Sequence, residues 1–505
     1  MMEARFQPSA ALARPRSVAG NDTLLWAAML LALLSALPVL VARYPQMSDY
    51  PAHLARYGVM IDGGRTPALA RYYSFHWQWT GNVGADLLIR PLAALFGLEN
   101  GGRVMAGLIP PLTGLGLIAV DYALRRRVTG ASLLAMAFIW SPMMLTGLLN
   151  FALGQALALL AFALWVVLAG RRWRAALFIP AGLVVWLCHL SAWGMLGVMI
   201  FGFEWHALHR SGDWWRAFVR PWPLLAPVTL MLLPGGTQGS FSYGEPLLTY
   251  KLAIWFKAMR DTAYPLDFAG LVAVLAVIGI ATRYRRIDGR LGWSTAALLV
   301  LSLAVPRHIS NGDYADYRLV TSGLMLACLA IDCTGAPKWT VALAPALYLV
   351  RLAVTTVSWQ ADSLEMEKML QALDHLPDGA RVANAVLVPG DAWRLNPFEH
   401  IGGYAVIRKH ALINTNFALA HVHMLSLRQG GPGFIDPSQR IFQLSTQPVE
   451  LASFVPARQA DWLWYVGAKE PASLPPGAQV VWRGEHSLLA RLKPVVVKPG
   501  LPAPR

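Results

Sequence analysis

Two clusters of ionisable residues in this 505-residue chain have the types and spacing of reactive groups. The first lies in Ser48-Asp49-Tyr50-Pro51-Ala52-His53. A carboxylate and an imidazole four residues apart share one face once the segment is helical, and both can take up or release a proton. Pro51 between them favours a turn that becomes helix afterwards. On this loop alone a cap on that helix, with Pro51 in its first turn, is the favoured role for Asp49. The second cluster is Arg307-His308-Ile309-Ser310-Asn311-Gly312-Asp313-Tyr314-Ala315-Asp316-Tyr317-Arg318. The planar forks of Arg307 and Arg318 match phosphate oxygens, with Asp313 and Asp316 beside them as further polar contacts. A structural ion pair between Asp316 and Arg318 is the alternative.

Apolar runs must position these clusters. The chain is 56% hydrophobic and 14% charged, too apolar for a soluble protein of this length and right for a polytopic membrane protein. The net charge of +15 invites a nucleic-acid reading. The Arg residues, however, gather in the short gaps between apolar runs, at Arg125–Arg127, Arg171–Arg174, Arg210–Arg220 and Arg283–Arg286. That is the positive-inside pattern, and no nucleic-acid partner is expected. Counting runs from Leu24–Val41 to Trp339–Val357 predicts about eleven transmembrane helices, with every basic gap on the cytoplasmic side. The stretch Ala175–Leu208 is long enough for two of them, with the break at His189. Both reactive clusters then share the outer face.

That face also receives Tyr72 to Trp79, whose aromatic density suits the headgroup layer, and an amphipathic run over Ala85–Leu98. Gly235–Leu266 reads as a polar, aromatic loop that water alone would satisfy, and His189 as a helix–helix hydrogen-bonding group at the level of the site. From about Trp359 the composition shifts. A helix over Asp362–Leu376, a turn at Pro377-Asp378-Gly379 and strands at Arg381–Val388, Ala411–Thr415, Trp462–Val466, Gln479–Trp482 and Leu488–Leu492 are expected. The fold class is thus an all-α polytopic membrane domain (1–358) carrying a small C-terminal α/β extracytoplasmic domain (359–505) with a Pro-rich tail. His400, His410, His421 and His423 match no zinc spacing, and Cys188, Cys328 and Cys333 sit in or beside apolar runs, so no disulfide framework is expected. No Walker or dinucleotide Gly motif is present, which disfavours an ATP-driven pump.

A cytosolic start, the first-loop Ser48-Asp49-Tyr50-Pro51-Ala52-His53, many spans and an exported C-terminal domain together resemble the GT-C superfamily of membrane glycosyltransferases. The resemblance implies transfer of a sugar from a polyprenyl-phosphate carrier to a glycan, lipid or protein acceptor, on the outer face of a membrane such as the bacterial inner membrane. It implies Asp49 as the catalytic residue and Tyr50, His53, His189, Arg307, Asp313, Asp316 and Arg318 as substrate-binding candidates. Many members carry paired acidic residues where Tyr50 follows Asp49 here, so a divalent cation is compatible with the pattern without being required by it. The chemistry agrees independently: a phosphate leaving group needs no general acid, only a base for the acceptor hydroxyl and a cation for the departing oxygens. The rival classes are a secondary transporter or flippase, which places charges near the midplane and shows internal repeats, and a non-catalytic scaffold.

Overall fold

The structure is a computed structural model that describes residues 19–232, 241–309, 312–336, 338–390, 392–418, 423–429, 434, 440–444 and 446–492. It is mostly helical with a strand-containing C-terminal part. Helices Leu98–Arg125, Leu149–Val167, Tyr264–Arg283 and Ala342–His375 are long and apolar enough to cross a membrane. In such surroundings a helix satisfies its own backbone polar groups. The other apolar runs are shorter or interrupted, so helix length does not establish the count of eleven. The first run breaks at Ser35–Ala36, ahead of Pro38, into Ala19–Leu34 and Leu37–Val41. The third is divided into Gly130–Ala135, a single 3-10 turn and Pro142–Thr146. The break at His189 falls where expected, between Arg174–Cys188 and Leu190–Leu208.

Two expectations are corrected. The segment expected as a polar loop contains an apolar helix, Leu247–Phe256, whose Lys251 is buried. Tyr72 and Tyr73 do not present their rings to headgroups: both are buried, and Tyr73–Phe75 pairs antiparallel with Leu425–Leu427. The reason is a partner strand more than 300 residues away, invisible to local composition. Helix Lys338–Leu370 runs 33 residues, past Pro345 and through the proposed domain boundary, where no Gly or Pro interrupts it between Trp359 and Leu370.

The bundle has two polar ends. At one, the basic gaps meet: Arg125 donates to the carbonyls of Leu329 at 2.9 Å and Ile331 at 3.3 Å, Arg127 to Thr334 at 2.9 Å, and Arg290 to Leu124 O at 2.6 Å. At the other lie the first-loop helix Tyr50–Asp62, the amphipathic helix Gly84–Phe96 and the C-terminal domain. A buried Arg56–Asp86 ion pair at 2.9 Å, with Asn150 donating to Asp86 at 3.3 Å, ties both of these helices to Leu149–Val167.

The C-terminal domain is built on a six-stranded sheet in the order Gln479–Gly484, Ser487–Arg491, Trp462–Val466, Arg381–Pro389 and Leu412–Ile413, with Ile441–Gln443 parallel to the end of Arg381–Pro389. The first three are antiparallel neighbours, while Arg381–Pro389 pairs parallel with Trp462–Val466 (Ala383 beside Leu463) and with Leu412–Ile413. Arg381–Pro389 is buried at seven consecutive positions, as a central strand covered on both faces must be.

This domain sits directly on the segment that follows the first apolar run. Tyr72 Oη donates to Gly379 O at 2.7 Å, and Tyr73 Oη accepts from Ile413 N at 3.1 Å. Helix Gly403–Lys409 packs on the first-loop helix at Gly403, where a Cβ would stand 2.1 Å from the carbonyl oxygen of Pro51. Only glycine permits that approach. Gly403→Ala should push the two apart and destabilise the protein by roughly 1–3 kcal/mol, read as a lower thermal midpoint and faster proteolysis between the domains. An unchanged midpoint would mean that the contact does not hold the domain in place.

Candidate active site

Asp49 occupies the N-cap position of the first-loop helix, yet its side chain makes no capping hydrogen bond. The backbone is held from elsewhere. Asp49 N donates to Thr146 O at 2.8 Å and Ser48 N to Leu145 O at 3.3 Å. Gly147, in the left-handed region at φ 96°, lets that turn close against Met47, Asp49 and Tyr50. The carboxylate is thus positioned by main chain and left free at its tip, where 19% of the side chain stays accessible.

One ionisable neighbour comes from the C-terminal domain. His400 Nε2 stands 3.7 Å from Asp49 Oδ1. His400 Nδ1 is 2.7 Å from Thr415 O, a group that can only accept, so Nδ1 carries the proton and Nε2 turns a lone pair toward Asp49. Burial lowers the His400 pKa to about 4, so the contact is with a neutral imidazole. Glu399, the preceding residue, is ion-paired with Arg440. Asp49 is consequently pushed up to about 8, first by burial, then by the negative charges of Glu399 and Asp313, against the pull of Arg440.

The second cluster, leading into helix Ala315–Leu329, is near enough for Asp313 to act on Asp49. Arg307 grips Asp313 with both arms of its fork, Nε to Oδ1 at 2.9 Å and Nη2 to Oδ2 at 2.8 Å, and is flanked by the rings of Tyr250 and Tyr314, each 5.2 Å away. Tyr314 carries a positive φ of 60°, a strained conformation for a bulky residue, immediately before helix Ala315–Leu329. Asp316 does not pair with Arg318. Fully buried, it is taken up by Lys251 at 2.6 Å and by Tyr250 Oη at 3.1 Å. Arg318 is 5% exposed and lies over the Phe151 ring at 5.5 Å, with no ion pair and no side-chain hydrogen bond among the described residues. Asp313 is close enough for its charge to act on both Arg318 and Asp49.

The remaining candidates divide. His53 faces Tyr57 and Phe417, at 6.1 and 5.2 Å between ring centroids, and burial holds it well below the usual imidazole pKa. His400 and His423 surround the same Phe417. His189 caps helix Leu190–Leu208 by accepting from Ser191 N at 3.0 Å, and touches the Phe151 ring edge-on, so it belongs to the Arg318 side of the site. Tyr50 points away from Asp49, into a separate cavity of about 420 Å³ with Arg43, Glu99, Arg103 and Arg408. Ser310, Asn311 and His421 lie outside the described residues. His410 is apart, against Asp378. Among the described residues no group of three or more His, Cys, Asp and Glu is arranged to hold a metal ion, so nothing in this donor set selects a divalent cation.

Sequence reasoning missed Glu399 and Arg440, and passed over His400 because its spacing to other histidines fits no zinc pattern. It also left Lys251 in a solvated loop. No local signal marks any of them, since each reaches the site through domain docking or helix packing.

No family model matches the chain, and no curated protein sequence matches it. Solved structures of ArnT from Cupriavidus metallidurans resemble it. The structure bound to undecaprenyl phosphate is 12% identical, covers 94% of this chain and 98% of that chain, and superposes with a TM-score of 0.49. The apo structure gives the same identity and coverage with a TM-score of 0.50. The apo comparison shows a shared fold along nearly the whole length.

Proposed function

We propose that this chain is an integral-membrane glycosyltransferase that moves a sugar from a polyprenyl-phosphate carrier to an acceptor hydroxyl of a glycan, lipid or protein. The observation that carries the reading is electrostatic: a carboxyl pushed up to about 8 at Asp49 and, near the same Asp313, a buried Arg318 guanidinium with no ion pair among the described residues. A general base works best when its pKa lies near the working pH. A buried, unpaired cation is costly unless a ligand supplies the counter-charge. The ArnT fold supports the reading, and undecaprenyl phosphate, bound in one ArnT structure, is a ligand of the proposed class.

In the proposed reaction the acceptor oxygen attacks the anomeric carbon as Asp49 takes its proton. The bond from that carbon to the phosphate oxygen breaks, and its electron pair leaves on the polyprenyl phosphate, whose charge Arg318 offsets. Attack opposite the leaving group inverts the anomeric centre. Arg307 is already committed to Asp313. Neutral His400, 3.7 Å from the Asp49 carboxyl, brings no charge that would compete with the base.

The test is release of polyprenyl phosphate from a lipid-linked sugar by purified protein across a pH series. Because the base form of Asp49 exists above its raised pKa, turnover should climb with pH through about 8 and level off beyond it. A profile already flat at pH 6 would remove Asp49 as the base. The proposed topology has eleven spans, the N-terminus cytoplasmic and residues 359–505 outside. Cysteine labelling should then reach positions near 60 and 380 from outside and those near 128, 172 and 286 only from the cytoplasm. Cytoplasmic labelling near 380 would overturn it.

A further inference from the structure

A second cluster of guanidinium groups lies at the opposite end of the bundle. Asn150, in the first turn of helix Leu149–Val167, bonds Asp86 beside the first-loop helix, and Trp165 stands about 22 Å further along the same axis. Next to Trp165 is a cavity of about 390 Å³ lined by Arg171, Arg172, Arg174, Arg216 and Arg220. Buried Glu204 organises it by accepting from Trp165 Nε1 at 2.9 Å, from Arg174 at 3.2 Å and from Arg220. The Arg174 guanidinium lies over the Trp165 ring at 3.9 Å. Arg216 meets Asp213 at 3.3 Å. Arg171 and Arg172 have no ion pair and no side-chain hydrogen bond among the described residues. Five guanidinium groups against these two carboxylates leave three positive charges facing one cavity.

The surface beside it is apolar. Trp215 and Trp222 line the cavity half-exposed, and Phe218, Val219 and Leu225 are more than half exposed next to them. Charge and apolar surface together specify an amphiphile with an anionic head. A free phosphate would answer the guanidinium groups and leave the aromatic surface in water. We propose that this cavity binds the headgroup of an anionic phospholipid, in the leaflet opposite the Asp49 site, with its acyl chains along Phe218 and Leu225. Basic pockets between membrane helices hold such head groups through charge-assisted hydrogen bonds. The proposal needs the chain to span a membrane but is independent of the transferase reading, because none of these residues belongs to that site.

The experiment is native mass spectrometry of the detergent-purified full chain with added cardiolipin, phosphatidylethanolamine or inorganic phosphate. Cardiolipin adducts should persist on the unsubstituted protein. The double variant Arg171→Gln/Arg172→Gln should bind cardiolipin roughly tenfold more weakly or worse, with its thermal midpoint unchanged because both side chains are exposed and unpaired. Arg283→Gln/Arg285→Gln, altering two basic residues outside the cavity, should bind it normally. Equal cardiolipin binding by both double variants would overturn the site. Retention of phosphatidylethanolamine to the same extent would reduce it to ordinary annular lipid, and displacement of cardiolipin by millimolar inorganic phosphate would make it a free-anion site. Either outcome would also overturn the proposal.

Discussion

Asp49→Asn should cut turnover by about two to four orders of magnitude while the protein folds, inserts and retains its lipid ligand. The structure separates chemistry from scaffold at this residue. The Asp49 side chain donates to and accepts from no backbone cap, and its main chain is held by Thr146 and Leu145, contacts that asparagine keeps. What the substitution removes is a carboxyl that can accept a proton near pH 8. It also removes a burial cost, so the thermal midpoint should hold or rise, most visibly above pH 8, where the wild-type carboxylate must ionise in the folded state. A drop in stability together with activity would return Asp49 to a structural role. Near-normal transfer by the Asn variant would remove the main support for an enzyme.

Arg318→Gln should lower turnover by roughly two to three orders of magnitude, the range for deleting one preorganised donor to a developing anion. Arg318→Lys should fall between, since it keeps the charge and loses the planar fork. The neighbouring carboxylates make this interpretable. Asp313 keeps Arg307 and Asp316 keeps Lys251, so removing Arg318 orphans no anion among the described residues. A structural guanidinium would cost stability when deleted, whereas this one should cost none. The loss should appear with lipid-phosphate donors. If both variants turn over the lipid-linked donor at the wild-type rate, the phosphate contact lies elsewhere.

Much of the architecture is legible in local pattern. Apolar runs bounded by Arg-rich gaps mark a membrane chain, and alternating or continuous apolar stretches located the strands at Arg381–Pro389, Trp462–Val466, Gln479–Gly484 and Ser487–Arg491 to within two residues. That Ala175–Leu208 holds two helices followed from length, and His189-Leu190-Ser191-Ala192-Trp193 marked the break. Where local pattern failed, a distant partner decided. Leu247–Phe256 was masked as a helix by the Lys251 and tyrosines within and around it, because the sequence does not show that Asp316 neutralises the lysine 65 residues later. Aromatic Tyr73 reads as interfacial until Leu425–Leu427 is known to pair beside it.

For the site, the sequence by itself determined which residue types stand at the first and late outer loops, since spacing along one chain sets what neighbouring turns present. It could not say which charges are already spent. Tertiary structure decided that Arg307 is committed to Asp313 and Arg318 is not, that Asp316 answers Lys251, and that Glu399 and His400 arrive beside Asp49 from some 350 residues away. The physical reason is range. Hydrophobic periodicity is expressed within a few turns of one segment, whereas a pKa near 8 or an unpaired guanidinium depends on burial and on charges delivered by every element packed around it.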